Sequence, residues 1–167
     1  MSKKTLAQDR YDIAEDYYRK GKDSTGGSQE IANDNTAAMN FWLALCFGHL
    51  KAPYALYACF GQGIGVKQDD NIATLMFGIA LKLGDERCEA RKMDVVIPSS
   101  ISADINNITQ LVLKSNAANL DVDHFDTQME LFGDAFHLPY DKKIVTCFIE
   151  KYKEESSHNF DNNSDVS

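Results

Sequence analysis

Proline is scarce in this chain, with three in 167 residues, so little interrupts helical hydrogen bonding along its length. No run of about 18 apolar residues occurs, which leaves no segment able to cross a bilayer as a helix. The four cysteines include no Cys-x-x-Cys pair. Cys46, Cys59, Cys88 and Cys147 each lie among apolar residues and read as small buried hydrophobes. His49, His124, His137 and His158 are far apart, without the spacing of a helical metal site, so no metal and no cofactor is expected. Basic residues are outnumbered, 17 Lys and Arg against 25 Asp and Glu, for a net charge of −8. That balance argues against a nucleic-acid or anionic-membrane surface. The opening MSKKTLAQDRYD has two lysines but no apolar core after them, unlike a secretory signal, and the expected compartment is the cytoplasm. A secreted effector with a non-cleaved signal would look the same.

What is present is helical periodicity. Between Ala52 and Gly84 the chain reads as two short helices joined by a glycine-rich turn. Ala52, Leu56, Cys59 and Phe60 share one face of the first helix, which GQGIG stops. Asp69 or Asp70 caps the second, whose face carries Ala73, Phe77, Ala80 and Leu81 until Gly84 closes it. A copy lies upstream: Ala37, Phe41, Ala44, Leu45 and Gly48 match Ala73, Phe77, Ala80, Leu81 and Gly84 at a constant offset of 36 residues. Ala14, Tyr18 and Gly21 stand against Leu56, Phe60 and Gly63, with the extra residues in a polar stretch where a longer loop costs little. One such hairpin cannot bury its own apolar face and needs neighbours of its kind.

The order Ala52, Leu56, Phe60, Gly63, Gly65, Val66, Asp69, Ala73, Phe77, Ala80 and Gly84 resembles the Sel1-like repeat, a relative of the tetratricopeptide repeat, over roughly residues 8–93. A fragment of a third repeat, with Cys88 and Lys92 departing from the pattern, follows from Asp85. The resemblance implies an all-α fold, a short right-handed α-solenoid of helix pairs, a role in binding other proteins, and no catalytic residues. The cysteines do not recur at the repeat period, which leaves the disulfide ladder of cysteine-rich relatives unsupported.

On a helical wheel with Ala37 at 0°, the repeat core spans about −20° to 80°, while Met39, Leu43 and Phe47 fall at about 200° to 280°. Leu75, Ile79 and Leu83 repeat that second stripe. Six large apolar side chains on one patch exceed what water tolerates, so the patch is a buried second face or an interface. Its cover is the chain's own C-terminal part, a second copy in a homodimer, or a foreign partner.

The expected organisation is repeats over residues 1–93, C-terminal capping helices over 94–153 in the same compact unit, and a polar tail over 154–167. Residues 22–35 read as a loop. After a break at Pro98, Ser102 reads as an N-cap for a helix carrying Ile105, Ile108, Leu111 and Val112. Phe125, Met129, Phe132 and Phe136 mark another, and Ile144, Val145, Phe148 and Tyr152 a last one.

Two functional readings follow. The first is a non-enzymatic interaction module whose groove, lined by Tyr11, Asp12, Glu15, Tyr17, Tyr54, Tyr57 and Ala58, grips one protein partner. It would act as an inhibitor, an immunity protein or an adaptor. Solvent-facing tyrosines give large contact area at small entropic cost, and the acidic balance suits a basic toxin or effector. The second is a hydrolytic or metal-dependent enzyme with a C-terminal site around His124, Asp126 and His137, which requires those side chains to share a pocket.

Overall fold

The computed structural model describes residues 4–23 and 26–136. All regular secondary structure among them is helical: six α-helices, three short 3-10 turns and no strand. Helices α1 (Leu6–Asp23) and α2 (Ser28–Cys46) form one hairpin, and α3 (Ala52–Gln62) and α4 (Asp70–Lys82) a second, with α2 packed against α3. An irregular connection leads to α5 (Ser102–Ala118) and α6 (Phe125–Ala135), which pack on α4 and α2.

The 36-residue repeat extends to the hydrogen bonds that end α2 and α4. Gly48 and Gly84 take φ of 88° and 79°, a left-handed turn that a Cβ resists. His49 N–H reaches the Ala44 carbonyl at 2.9 Å, and Asp85 N–H reaches that of Ala80 at 3.1 Å, the backward closure of a Schellman motif. Two residues on, Lys51 N–H bonds to Nδ1 of His49 at 3.1 Å, as Arg87 N–H bonds to Oδ1 of Asp85 at 3.0 Å. At the start of α4 the cap is Asp69, whose carboxylate accepts from Ile72 N–H at 3.0 Å; Asp70 is the first helical residue.

Several expectations are corrected. Residues 28–35 are the first turns of α2, not loop. Bonds one turn apart, Gln29 Nε2 to Asn33 Oδ1 at 3.1 Å and Thr36 Oγ1 to the Ala32 carbonyl at 3.0 Å, use this stretch's polar groups within the helix. Ser102 is not the cap of α5 but its first residue, because a 3-10 turn over Ser99–Ile101 runs directly into the helix. Leu81 is 39% exposed, whereas its repeat mate Leu45 is fully buried. The second hairpin packs on α2, which carries Leu45, but residues 85–98 form no further hairpin after α4, which carries Leu81.

The second apolar stripe is enclosed within the chain. Met39, Leu43, Phe47, Leu75 and Ile79 are buried, and Leu83 is half-buried. Phe47 meets Phe125 of α6 edge to face, with centroids 4.7 Å apart, and Trp42 meets Phe132 and Phe136 at 6.5 and 5.3 Å. Gly78 sits under Ile105 of α5, with no room for a Cβ between them. Gln128 of α6, itself buried, donates from Nε2 to the Cys46 carbonyl and to Ser115 Oγ, tying α6 to α2 and α5. The expected last helix, the polar tail and Cys147 lie outside the described residues.

Candidate protein-binding cleft

A cleft of about 210 Å³ opens between α1 and α3. From α1 it takes Tyr11, Glu15, Tyr18 and Arg19; from α3, Tyr54, Ala55 and Ala58. Phe41 of α2 and Arg87 of the turn after α4 complete it. Helical spacing supplies both walls: residues 11, 15, 18 and 19 share one face of α1, as residues 54, 55 and 58 share one face of α3.

Tyr11 forms the floor. It is 5% exposed, which corrects its expected place among solvent-facing tyrosines. Its ring lies parallel to the His49 imidazole, centroids 4.0 Å apart, and edge-on to Phe41 at 5.5 Å. Burial raises the Tyr11 phenol above its ordinary pKa. His49 accepts at Nδ1 from Lys51 N–H, so the neutral ring carries its proton on Nε2 and donates it to Gln8 Oε1 at 3.0 Å. Burial lowers the His49 pKa to about 4.

Arg87 fixes one end of the cleft. Its Nε and Nη2 grip Asp85 at 3.0 and 2.7 Å, Nη2 also donates to the Lys51 carbonyl at 2.9 Å, and Nη1 reaches the Tyr11 hydroxyl at 3.4 Å. The guanidinium lies over the Tyr54 ring, 4.5 Å from its centroid. One side chain thereby joins α1, the start of α3 and the turn after α4. Burial alone would raise the Asp85 carboxyl, but the hydrogen bonds and charge of Arg87 outweigh it and hold the pKa below the ordinary value. Sequence reasoning missed Arg87. Its signal was the 36-residue offset, which sets Asp85 and Arg87 against His49 and Lys51.

The structure gathers Tyr11, Glu15, Tyr54 and Ala58 from the expected groove and leaves Asp12, Tyr17 and Tyr57 outside the lining. Asp12 is held by Lys4 and Gln8, and hydrogen bonding from Lys4 lowers its pKa. Tyr17 carries the Lys20 ammonium over its ring at 4.7 Å. Tyr57 packs on Phe77, centroids 5.1 Å apart.

Elsewhere, His124 bonds to Asp121 at 2.8 Å with both side chains exposed, and it does not line the cleft; His137 lies outside the described residues. No group of three or more His, Cys, Asp or Glu among the described residues is placed to hold a metal ion. Cys46, Cys59 and Cys88 are buried free thiols, and burial pushes Cys59 up to about 12. In the glycine turn, Gly65 lies flush against the Asp34 carbonyl of α2, leaving no room for a Cβ. No described helix is long and apolar enough to cross a membrane. No family model, no curated protein and no solved structure matches this chain.

Proposed function

We propose that this chain is a non-enzymatic protein-binding module: a short right-handed α-solenoid of Sel1-like helix pairs, closed by α5 and α6, that binds one protein partner and regulates or inhibits it. The observation that carries the reading is the cleft itself. Aromatic side chains on α1 and α3, two helices that both pack on α2, are held at fixed spacing by Arg87 and the Tyr11–His49 stack. Rigid amphipathic rings beside small alanines form a surface that gains contact area without losing much side-chain entropy. The hydrogen-bonded 36-residue repeat of the helix ends supports the Sel1-like assignment. Inhibitor, immunity and adaptor roles all use such a surface.

The test is affinity capture from the source cell with the full chain as bait, followed by quantitative binding of the identified protein. Ala58→Arg fills the cleft from a half-buried position. It should weaken binding at least about a hundredfold, the scale of an interface hot spot, without changing the melting temperature. Undiminished binding by the variant would refute the cleft as the contact surface.

A further inference from the structure

The charges lining the cleft differ from those of the whole chain. The net charge is −8, yet the ionised groups on the lining are two guanidinium groups, Arg19 and Arg87, and one carboxylate, Glu15. The side chain of Asp85, the partner of Arg87, is 3% exposed and presents nothing to a ligand. A guanidinium has five N–H donors. Four of those on Arg87 are engaged, and the fifth, on Nη1, has no partner among the described residues. Glu15 and Arg19, one turn apart, pair neither with each other nor with another described residue. A cationic side chain entering here meets two guanidinium groups. A segment carrying oxygen acceptors meets charge-assisted donors instead, and its peptide N–H suits Glu15.

Resting on the reading of this cleft as the partner surface, we propose that its occupant is a peptide segment of the partner that inserts an apolar side chain between Tyr18, Tyr54 and Ala58 and offers carboxylate or carbonyl oxygens to Arg19 and Arg87. Whatever the partner's overall charge, the docked segment is acidic or neutral, not basic.

The test titrates the isotope-labelled full chain with three blocked peptides by NMR: acetyl-Gly-Glu-Leu-Glu-Gly-amide, its lysine-for-glutamate counterpart, and its glycine-for-leucine counterpart. The first should shift the amides of Tyr18, Tyr54 and Ala58 and the Arg87 Nε–H, binding about tenfold more tightly than either of the others. Arg19→Gln, at an exposed position and with melting unchanged, should reduce the preference for glutamate over lysine at least about threefold. Equal or tighter binding of the lysine peptide overturns the proposal and leaves the cleft as the partner surface. It is equally overturned if no peptide moves these resonances at millimolar concentration. Retention of the captured partner by Ala58→Arg instead overturns the underlying reading.

Discussion

His49 shows how one side chain serves both repeat and cleft. Its Nδ1 does for the turn after α2 what the Asp85 carboxylate does after α4, while its ring supports Tyr11. An aspartate in its place would supply the acceptor but no stack. The imidazole is 8% exposed, with its pKa lowered by burial from the ordinary 6.5 to about 4. Between those values the unfolded chain binds a proton that the folded chain does not. The stability due to neutral His49 is therefore complete above pH 6.5 and is lost as pH falls to about 4, a total of roughly 3 kcal/mol. Titration of the His49 ring by NMR should show a midpoint near 4, and His49→Asn should flatten the stability profile in that window. A midpoint near 6.5 would contradict the buried, doubly bonded ring. Arg87 acts at the same scale, but its partners lie up to 76 positions away in the chain, beyond the reach of helical periodicity.

At the scale of elements, the matched glycines separate local conformation from packing. A Cβ on Gly84 would meet nothing within 4 Å, whereas a Cβ on Gly48 would lie 2.2 Å from the Asn116 backbone nitrogen of α5. Gly84→Ala should thus cost only the left-handed turn, about 1–2 kcal/mol. Gly48→Ala adds a backbone clash and should cost at least about 3 kcal/mol, with exchange protection lost first in α5. Equal costs in denaturant unfolding would contradict the seating of α5 on the end of α2. The apolar stripes of α2, α4, α5 and α6 were legible because they follow a 3.6-residue period. The first turns of α2 were not, because SQEIANDN is polar and bonds such as Gln29 to Asn33 and Thr36 to the Ala32 carbonyl form only once the helix exists. Leu81 misled for a different reason: the repeat pattern assigns a face, but exposure depends on whether another hairpin follows. Burial of Tyr11 was equally hidden, since its cover comes from His49 and Phe41 on another element.

For the whole molecule, the double-sided helices mean that two hairpins are completed by α5 and α6 rather than left with an open apolar wall. Ile79 is fully buried inside one chain, so Ile79→Asp should cost several kcal/mol, about 3–5, through an unpaired carboxylate in an apolar contact. Its expected signature is a lower melting temperature with no change in mass by light scattering; dissociation of a dimer without loss of stability would contradict the intramolecular cover. Gln62, exposed at the end of α3, makes the control: Gln62→Ala should shift stability by less than about 0.5 kcal/mol. With one apolar face covered, the cleft between α1 and α3 is the surface the account assigns to a partner. The most direct test is amide hydrogen exchange of the full chain with and without its captured partner. Added protection centred on residues 11–19 and 54–58, with α5 unchanged, is the predicted result; protection confined to α5 and α6, with those two stretches unaltered, would contradict the account.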